Sequence, residues 1–466
     1  MIGDIPPLPW RRALVIGLGC SGRESAALLR QLDLEVRAYD RNPAATAPDG
    51  VELFLGDPAP PVEAFAGIDL LVLSPGVPPD GVRALAHAHA PNAAIHGEMS
   101  LALDLLGRRW PRLPTVLVTG TNGKSTVTAL TGELLGAGGL APFTGGNLGV
   151  PLSAAVLALL RGERRPPGSL VLECSSFQLE TMNEAVLHPT DVAMVLNISP
   201  DHLDRYADIH AYAATKARIF AGLKEEGLAL LDADDPFTAR LREQVPRHLA
   251  LVGGPGPRAP TILGDGAGEQ LRLAEGQLLP RSALALAGRH NSKNALFALT
   301  AARHLGVSLA ACEAGLRSFA GLPHRMILVR EVDGVRYYDD SKATNIASVV
   351  ANIDGFARPY VLIAGGRRKD DDLALLRPHL AKGARALIAI GESADAFAAI
   401  AEGIVPWAKA TNMDEAVAKA RAYAETGDAV LLSPACSSFD WYRNYTERGD
   451  MFVRAVEGLA EASSSS

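Results

Sequence analysis

Only four cysteines, Cys20, Cys174, Cys312 and Cys436, occur in 466 residues. They lie far apart, with no CxxC pair and no zinc-ligand spacing. That excludes a disulfide scaffold and makes a reducing cytosol the expected compartment. No apolar run approaches the ~18 residues of a membrane span. Ala13 to Cys20, after Arg11-Arg12, mimics a short signal peptide, but Arg23 and Glu24 follow at once; the expectation is a cytoplasmic protein without membrane association. A strong charge excess is lacking too: 45 Lys+Arg against 52 Asp+Glu give a formal charge of -7. Such a balance leaves no global footprint for nucleic acid. No internal repeat of fixed short period is present.

What is there is an ordinary folded chain, 48% hydrophobic and 21% charged. Its length suggests about three domains at roughly 150 residues each. Short β-branched runs alternate with Ala/Leu-rich helical stretches, which predicts parallel sheets covered by helices. The first three strands are read at Ala13–Ile16, Val36–Tyr39 and Leu70–Leu73, with a helix over Ser25–Gln31. A helix near Gly97–Leu106 leads to a link region at Arg108-Arg109-Trp110-Pro111. A second series runs through Thr115–Val118, Leu170–Glu173 and Val192–Asn197, with a small β subregion after Gly253–Pro260 and a helix at Asn294–His304. A third starts near Gly321, with strands at Val335–Tyr338, Tyr360–Ala364, Ala386–Ile390 and Ala429–Leu432. The tail Ser463–Ser466 is low in complexity.

The strongest motif is Thr119-Gly120-Thr121-Asn122-Gly123-Lys124-Ser125-Thr126, where a strand runs into a glycine loop and then a helix. Backbone N–H groups at such a helix start point at an anion, Lys124 adds a charge, and Ser125 puts a hydroxyl where phosphate-bound Mg²⁺ sits. Val118 occupies the place of the first glycine in the strict phosphate-loop pattern. A second glycine loop, Gly17-Leu18-Gly19-Cys20-Ser21-Gly22, follows the first strand, and Asp40 ends the next. This is the order of a Rossmann unit, and it leaves open whether the ligand is a dinucleotide or a nucleotide sugar.

Further polar clusters also follow strands. Glu173 is followed by Cys174-Ser-Ser-Phe-Gln-Leu-Glu180, and Asp201-His202-Leu-Asp204-Arg205 follows the strand ending at Asn197. Lys216 reads, on its own, as a solvated helix lysine. Asn291 and Asn294 open a helix, and either cap it or read a base. Leu322-Pro-His324-Arg325 precedes Asp339-Asp340-Ser341-Lys342-Ala-Thr344-Asn345, and Ser433-Pro-Ala-Cys436-Ser437-Ser438 follows the last strand. No G-x-S-x-G elbow accompanies Ser437 and Ser438, which argues against a hydrolase.

In this order, TGTNGKST, ECSSFQLE, DHLDRY, GRHNSKN, GLPHR, DDSKATN and LLSPACSS resemble the ATP-dependent Mur ligases of peptidoglycan synthesis, from about Gly17 to Met451. The resemblance implies a three-domain α/β fold: a Rossmann-like UDP-substrate domain at 1–95, a central ATP/Mg²⁺ domain at 96–321, and a Rossmann-like amino-acid domain at 322–466. It implies addition of D-glutamate to UDP-N-acetylmuramoyl-L-alanine through an acyl phosphate made at the expense of ATP; a monomer is the expected form. Gly120, Thr121, Asn122, Gly123, Lys124, Ser125, Thr126, Asn291, Asn294, Asp340 and Lys342 would bind ATP. Ser125, Glu173, His202 and Lys216 would hold two Mg²⁺, Lys216 as a CO₂-derived carbamate. Gly19, Cys20, Ser21, Asp40, Arg41, Ser74, Gly76, Asn147 and His202 would bind the UDP substrate. Asp201, His202, Thr344, Lys369, Ser438 and Tyr445 would receive glutamate. Lys124, His202, Lys216 and Lys342 would be catalytic.

Two departures touch the amino-acid pocket: Arg367-Arg368 stand before Lys369, and Tyr445 replaces a frequent Phe. They keep an L-glutamate ligase open as an alternative. Folylpolyglutamate synthetase shares the central fold but gives no reason for the N-terminal Gly17–Gly22 loop with Asp40. An NAD-dependent oxidoreductase leaves Thr119–Thr126 unexplained, and a non-catalytic nucleotide binder does not account for intact phosphate and metal motifs.

Overall fold

Two parallel sheets and a third that is parallel except at one edge carry the chain, largely as the alternation of runs predicts, with a small antiparallel sheet beside them. The computed structural model describes residues 6–183, 188–245, 248–254, 256, 259–264, 268–286, 288–353, 359–368 and 372–460. By compactness it divides into two units, one of residues 1–284 and 292–319, the other of 285–291 and 320–466.

The first unit holds two sheets. β1 (Arg12–Ile16), β2 (Glu35–Asp40), β3 (Val51–Leu55), β4 (Leu70–Leu73) and β5 (Ala94–Gly97) are all parallel, in the order β3-β2-β1-β4-β5. β3 is a correction, because Leu70–Leu73 is the fourth strand and not the third. Its burial runs intermediate, exposed, exposed, intermediate, intermediate, as befits an edge strand, so the continuous apolar run that marks a buried parallel strand is missing. Strand order reverses between β1 and β4, and ligands of open α/β sheets bind at the C-terminal ends of strands at such a switch point.

β6 (Thr115–Thr119), β7 (Pro142–Gly146), β8 (Ser169–Glu173), β9 (Thr190–Val195), β10 (Leu223–Asp232) and β11 (Leu249–Val252) form the second parallel sheet, in the order β11-β10-β9-β6-β8-β7. β6 is central and buried throughout. The helices Cys20–Gln31 and Glu98–Arg109 both pack on Leu152–Leu160, so one apolar core runs under both sheets. β5 ends at Gly97, beyond the residue 95 boundary expected from sequence. A three-stranded antiparallel sheet of β12 (Thr261–Leu263), β13 (Gln270–Arg272) and β14 (Leu278–Pro280) is the small β subregion.

The second unit holds β15 (Ile327–Val332), β16 (Val335–Asp339), β17 (Tyr360–Gly365), β18 (Ala384–Ile390), β19 (Trp407–Lys409) and β20 (Ala429–Leu432), ordered β15-β16-β20-β17-β18-β19. Only β15 pairs antiparallel. β20 lies between β16 and β17, so the polar segments after these three strands leave neighbouring strand ends on one edge. Among the described residues, no helix is long and apolar enough to cross a membrane.

Candidate functional site

The phosphate-loop motif is built as its sequence suggests. β6 ends at Thr119, the loop Gly120–Gly123 follows, and a helix runs Lys124–Ala137. Gly123 has φ +82°, a conformation that favours glycine, and a Cβ there would stand 2.7 Å from Asn294 Oδ1. Asn197, just past β9, clamps the loop. Its Oδ1 accepts from the Asn122 N–H at 2.8 Å, its Nδ2 donates to Asn122 O at 3.1 Å, and its carbonyl accepts from the Thr121 N–H at 2.9 Å. The Thr121 hydroxyl donates to Ser199 O at 3.2 Å. Lys124 Nζ donates to Gly120 O and Thr121 O at 2.9 and 2.8 Å, placing the cation over the loop's own carbonyls. Ser125 and Thr126 are buried at the helix start.

Glu173 pairs in register with Val118, beside the end of β6. It is only 2% exposed; one oxygen accepts from Asn147 Nδ2 at 2.6 Å, while the buried Oε2 has no hydrogen-bond partner. An orphaned buried carboxylate oxygen is costly unless a cation meets it. Lys216 corrects the reading taken from its helix alone: it is 1% exposed, not solvated. Its Nζ donates to Gly120 O at 2.9 Å and Thr119 Oγ1 at 3.4 Å, and lies 4.5 Å from the Tyr212 ring centre. Burial first, and the charge of Lys124 second, hold its pKa well below the ordinary lysine value.

His202 has φ +56°, and its ring lies 4.8 Å from that of Phe177. Its Nε2 is 3.7 Å from Asp201 Oδ2. Three residues on, Arg205 ion-pairs with Glu180 at 2.6 Å, stacks on Phe177 and donates to Val77 O at 3.1 Å, which ties two motifs of the second sheet to the loop after β4.

In the first sheet, the predicted ligand-binding residues shape the loop itself. Asp40 accepts from the N–H groups of Leu18 at 2.6 Å and Asn42 at 2.8 Å, and Ser74 Oγ donates to Gly17 O at 2.7 Å. A Cβ at Gly22 would come within 1.8 Å of Gly17 O. Gly19, Cys20, Arg41 and Gly76 are exposed, and Ser21 is partly exposed, around this frame.

In the second unit, Asp340 is buried and accepts from Asn352 Nδ2 and Ser433 Oγ, both at 2.6 Å. Burial pushes its carboxyl up to about 7. Lys342 Nζ lies 3.8 Å from the Tyr445 ring centre. Arg448, 1% exposed, joins the loops: its guanidinium donates to Ser341 Oγ at 2.9 Å, Ser341 O at 2.7 Å and Cys436 O at 3.0 Å. Thr344 is half-buried and Ser438 buried. Arg367 is held outward in a two-point ion pair with Glu392, at 3.0 and 2.7 Å. Lys369 lies outside the described residues. Asn291 and Asn294 sit inside the first turns of the helix Arg289–His304, so neither is its cap.

Sequence reasoning missed Asn197, Arg205 and Arg448 as organisers. An Asn after a buried strand gave a weak signal for the first; a helical Arg gives none for burial. Among the described residues, no three His, Cys, Asp or Glu side chains gather as a metal-holding group.

Models of two domain families match the chain: the Mur ligase middle domain over residues 118–302, and the Mur ligase glutamate ligase domain over 324–436. UDP-N-acetylmuramoylalanine–D-glutamate ligase of Thiobacillus denitrificans is 41% identical, covering 98% of each chain. The protein of the same name from Myxococcus xanthus is 39% identical over 97% of this chain and 99% of its own. Among solved structures, MurF from Acinetobacter baumannii superposes with a TM-score of 0.61 at 20% identity, covering 86% of this chain and 93% of that one. Folylpolyglutamate synthase of Mycobacterium tuberculosis gives 0.59 at 17% identity, over 78% and 95%; at that identity it shares the fold alone. With relatives near 40% identity aligned from end to end and both domain models matched, the chain belongs to the Mur ligase family.

Proposed function

We propose that this chain is an ATP-dependent ligase that joins D-glutamate to the alanine carboxylate of UDP-N-acetylmuramoyl-L-alanine. The observation that carries the reading is the pairing of Glu173, with its orphaned buried oxygen, and the desolvated Lys216 around one phosphate loop. The names of the full-length relatives supply the substrates. Residues 1–95 would hold the UDP moiety, 96–321 ATP and Mg²⁺, and 322–466 the amino acid.

In this reading the loop N–H groups and Lys124 bind the ATP phosphates, and Asn291 and Asn294 serve the nucleoside end. Ser125, Glu173, His202 and the carbamate of Lys216 would hold two Mg²⁺, which neutralise charge on the transferring phosphoryl group. The γ-phosphoryl passes to the alanine carboxylate, giving an acyl phosphate and ADP. The glutamate amine then adds to the acyl carbon, and the tetrahedral adduct collapses with loss of inorganic phosphate. Asn147 and His202 would position the muramoyl-alanine end. Lys342 would contact phosphate and Asp340 ribose, while Thr344, Ser438, Tyr445 and Lys369 would receive glutamate carboxylates. Arg367, the first of the two arginines, is committed to Glu392. The enzyme acts in the cytoplasm as a monomer.

The test is phosphate release with each component omitted in turn. Release is expected only when ATP, UDP-N-acetylmuramoyl-L-alanine and glutamate are all present. Steady release without the muramoyl substrate contradicts the reading.

A further inference from the structure

We infer that Lys293 is a positioning residue that fixes the nucleoside-side helix against the phosphate loop. The inference rests on the nucleotide-site reading above. Lys293 sits between Asn291 and Asn294 in the helix Arg289–His304. Its Nζ donates to both oxygens of Asp232 at 2.8 and 2.9 Å, and to Asp234 Oδ2 at 2.8 Å. Asp232 is the last residue of β10, and its side chain is only 11% exposed. Three carboxylate contacts on a half-buried ammonium are not the arrangement of a solvated helix lysine, and such charge-assisted bonds are short and directional.

The clamp leads to the loop by two routes. Through the helix, residue 294 follows directly, and Asn294 Oδ1 stands 2.7 Å from where a Cβ on Gly123 would lie, so the helix start abuts the loop. Through the turn after β10, Asp235 Oδ2 accepts the Ile198 N–H at 2.7 Å, beside the Asn197 that clamps Thr121 and Asn122. Helix, turn and loop thus share one hydrogen-bonded frame, with Lys293 as the link from the helix to the turn. A charged partner removed from such a frame leaves the buried Asp232 uncompensated and the helix start free to shift. Nucleotide affinity therefore depends on a residue that need not touch the nucleotide.

The experiment is ADP titration calorimetry and steady-state kinetics on the full chain, with wild type, Lys293→Met, Lys293→Arg and Asp234→Asn. Lys293→Met is expected to weaken ADP roughly tenfold and raise the KM for ATP in step, while kcat at saturating ATP stays within about twofold, the signature of lost binding and intact chemistry. Lys293→Arg should restore most of the affinity, and Asp234→Asn, which removes one leg from an exposed position, should weaken ADP about threefold. Unchanged ADP affinity in Lys293→Met, or a fall in kcat at constant KM, overturns the inference. If that variant does not fold, unchanged affinity in Asp234→Asn overturns it equally. Failure of the wild type to bind ADP overturns the nucleotide-site reading instead.

Discussion

Lys216→Ala is expected to lose nearly all ligase activity, at least ~10²-fold in kcat, the range seen when a preorganised charge stabiliser is removed. The argument starts from the amine's surroundings. Buried to 1% exposure and set near Lys124, it releases its proton far more readily than a solvated lysine. The sign follows: a lowered pKa leaves the amine unprotonated, hence nucleophilic, at pH values where an ordinary lysine is an ammonium ion. In the proposed reading its lone pair would add to the carbon of CO₂ with loss of one proton to solvent, giving a carbamate with a negative oxygen donor suited to a hard cation. A short carboxylic acid such as acetate should then restore part of the activity of Lys216→Ala by filling the vacated space. Stripping CO₂ from the wild type should lower activity, and bicarbonate should bring it back. Full activity in carbonate-free buffer, with no added mass on Lys216, contradicts this account.

Lys124→Ala is the second large effect, at least ~10²-fold in kcat/KM, because a cation on a transferring phosphoryl group is worth a few kcal/mol in the transition state. Lys124 now rests on the carbonyls of Gly120 and Thr121, within its own loop, so its removal leaves the loop's clamp by Asn197 intact. The variant should keep its thermal stability while losing turnover. Wild-type kcat/KM in a folded Lys124→Ala would show that this loop is not the ATP site.

Much of this was legible in the chain because buried parallel strands are short apolar runs followed by polar punctuation. β6, β8, β17 and β20 all have that form, and their C-terminal ends are where the motifs stand. β3 was not legible, since an edge strand half in solvent carries Glu52 and lacks the continuous run. Lys216 was misread from local sequence for a different reason. Its helix, Ile209–Ala217, is rich in apolar and small residues, so no polar stripe tells which face meets solvent. Only family resemblance singled that lysine out, and the fold supplies the physical cause. The part Asp40 and Ser74 play in shaping the loop was not legible, because hydrogen bonds to Leu18 and Gly17 depend on strand neighbours distant in sequence. Arg448 was invisible: an arginine one turn into a helix carries no mark of burial, yet it holds two loops of the second unit together.

The most direct measurement is mass spectrometry of the UDP-linked product, with initial rates of ADP formation, from UDP-N-acetylmuramoyl-L-alanine and ATP with D- or L-glutamate in parallel. The mirror isomer exchanges amine and hydrogen about Cα, moving the nucleophile away from the acyl phosphate and losing near-attack geometry. The account predicts one glutamyl residue added per ADP formed, and much faster turnover with the D-enantiomer. ADP formed without a glutamyl product, or faster product formation with L-glutamate, would contradict it.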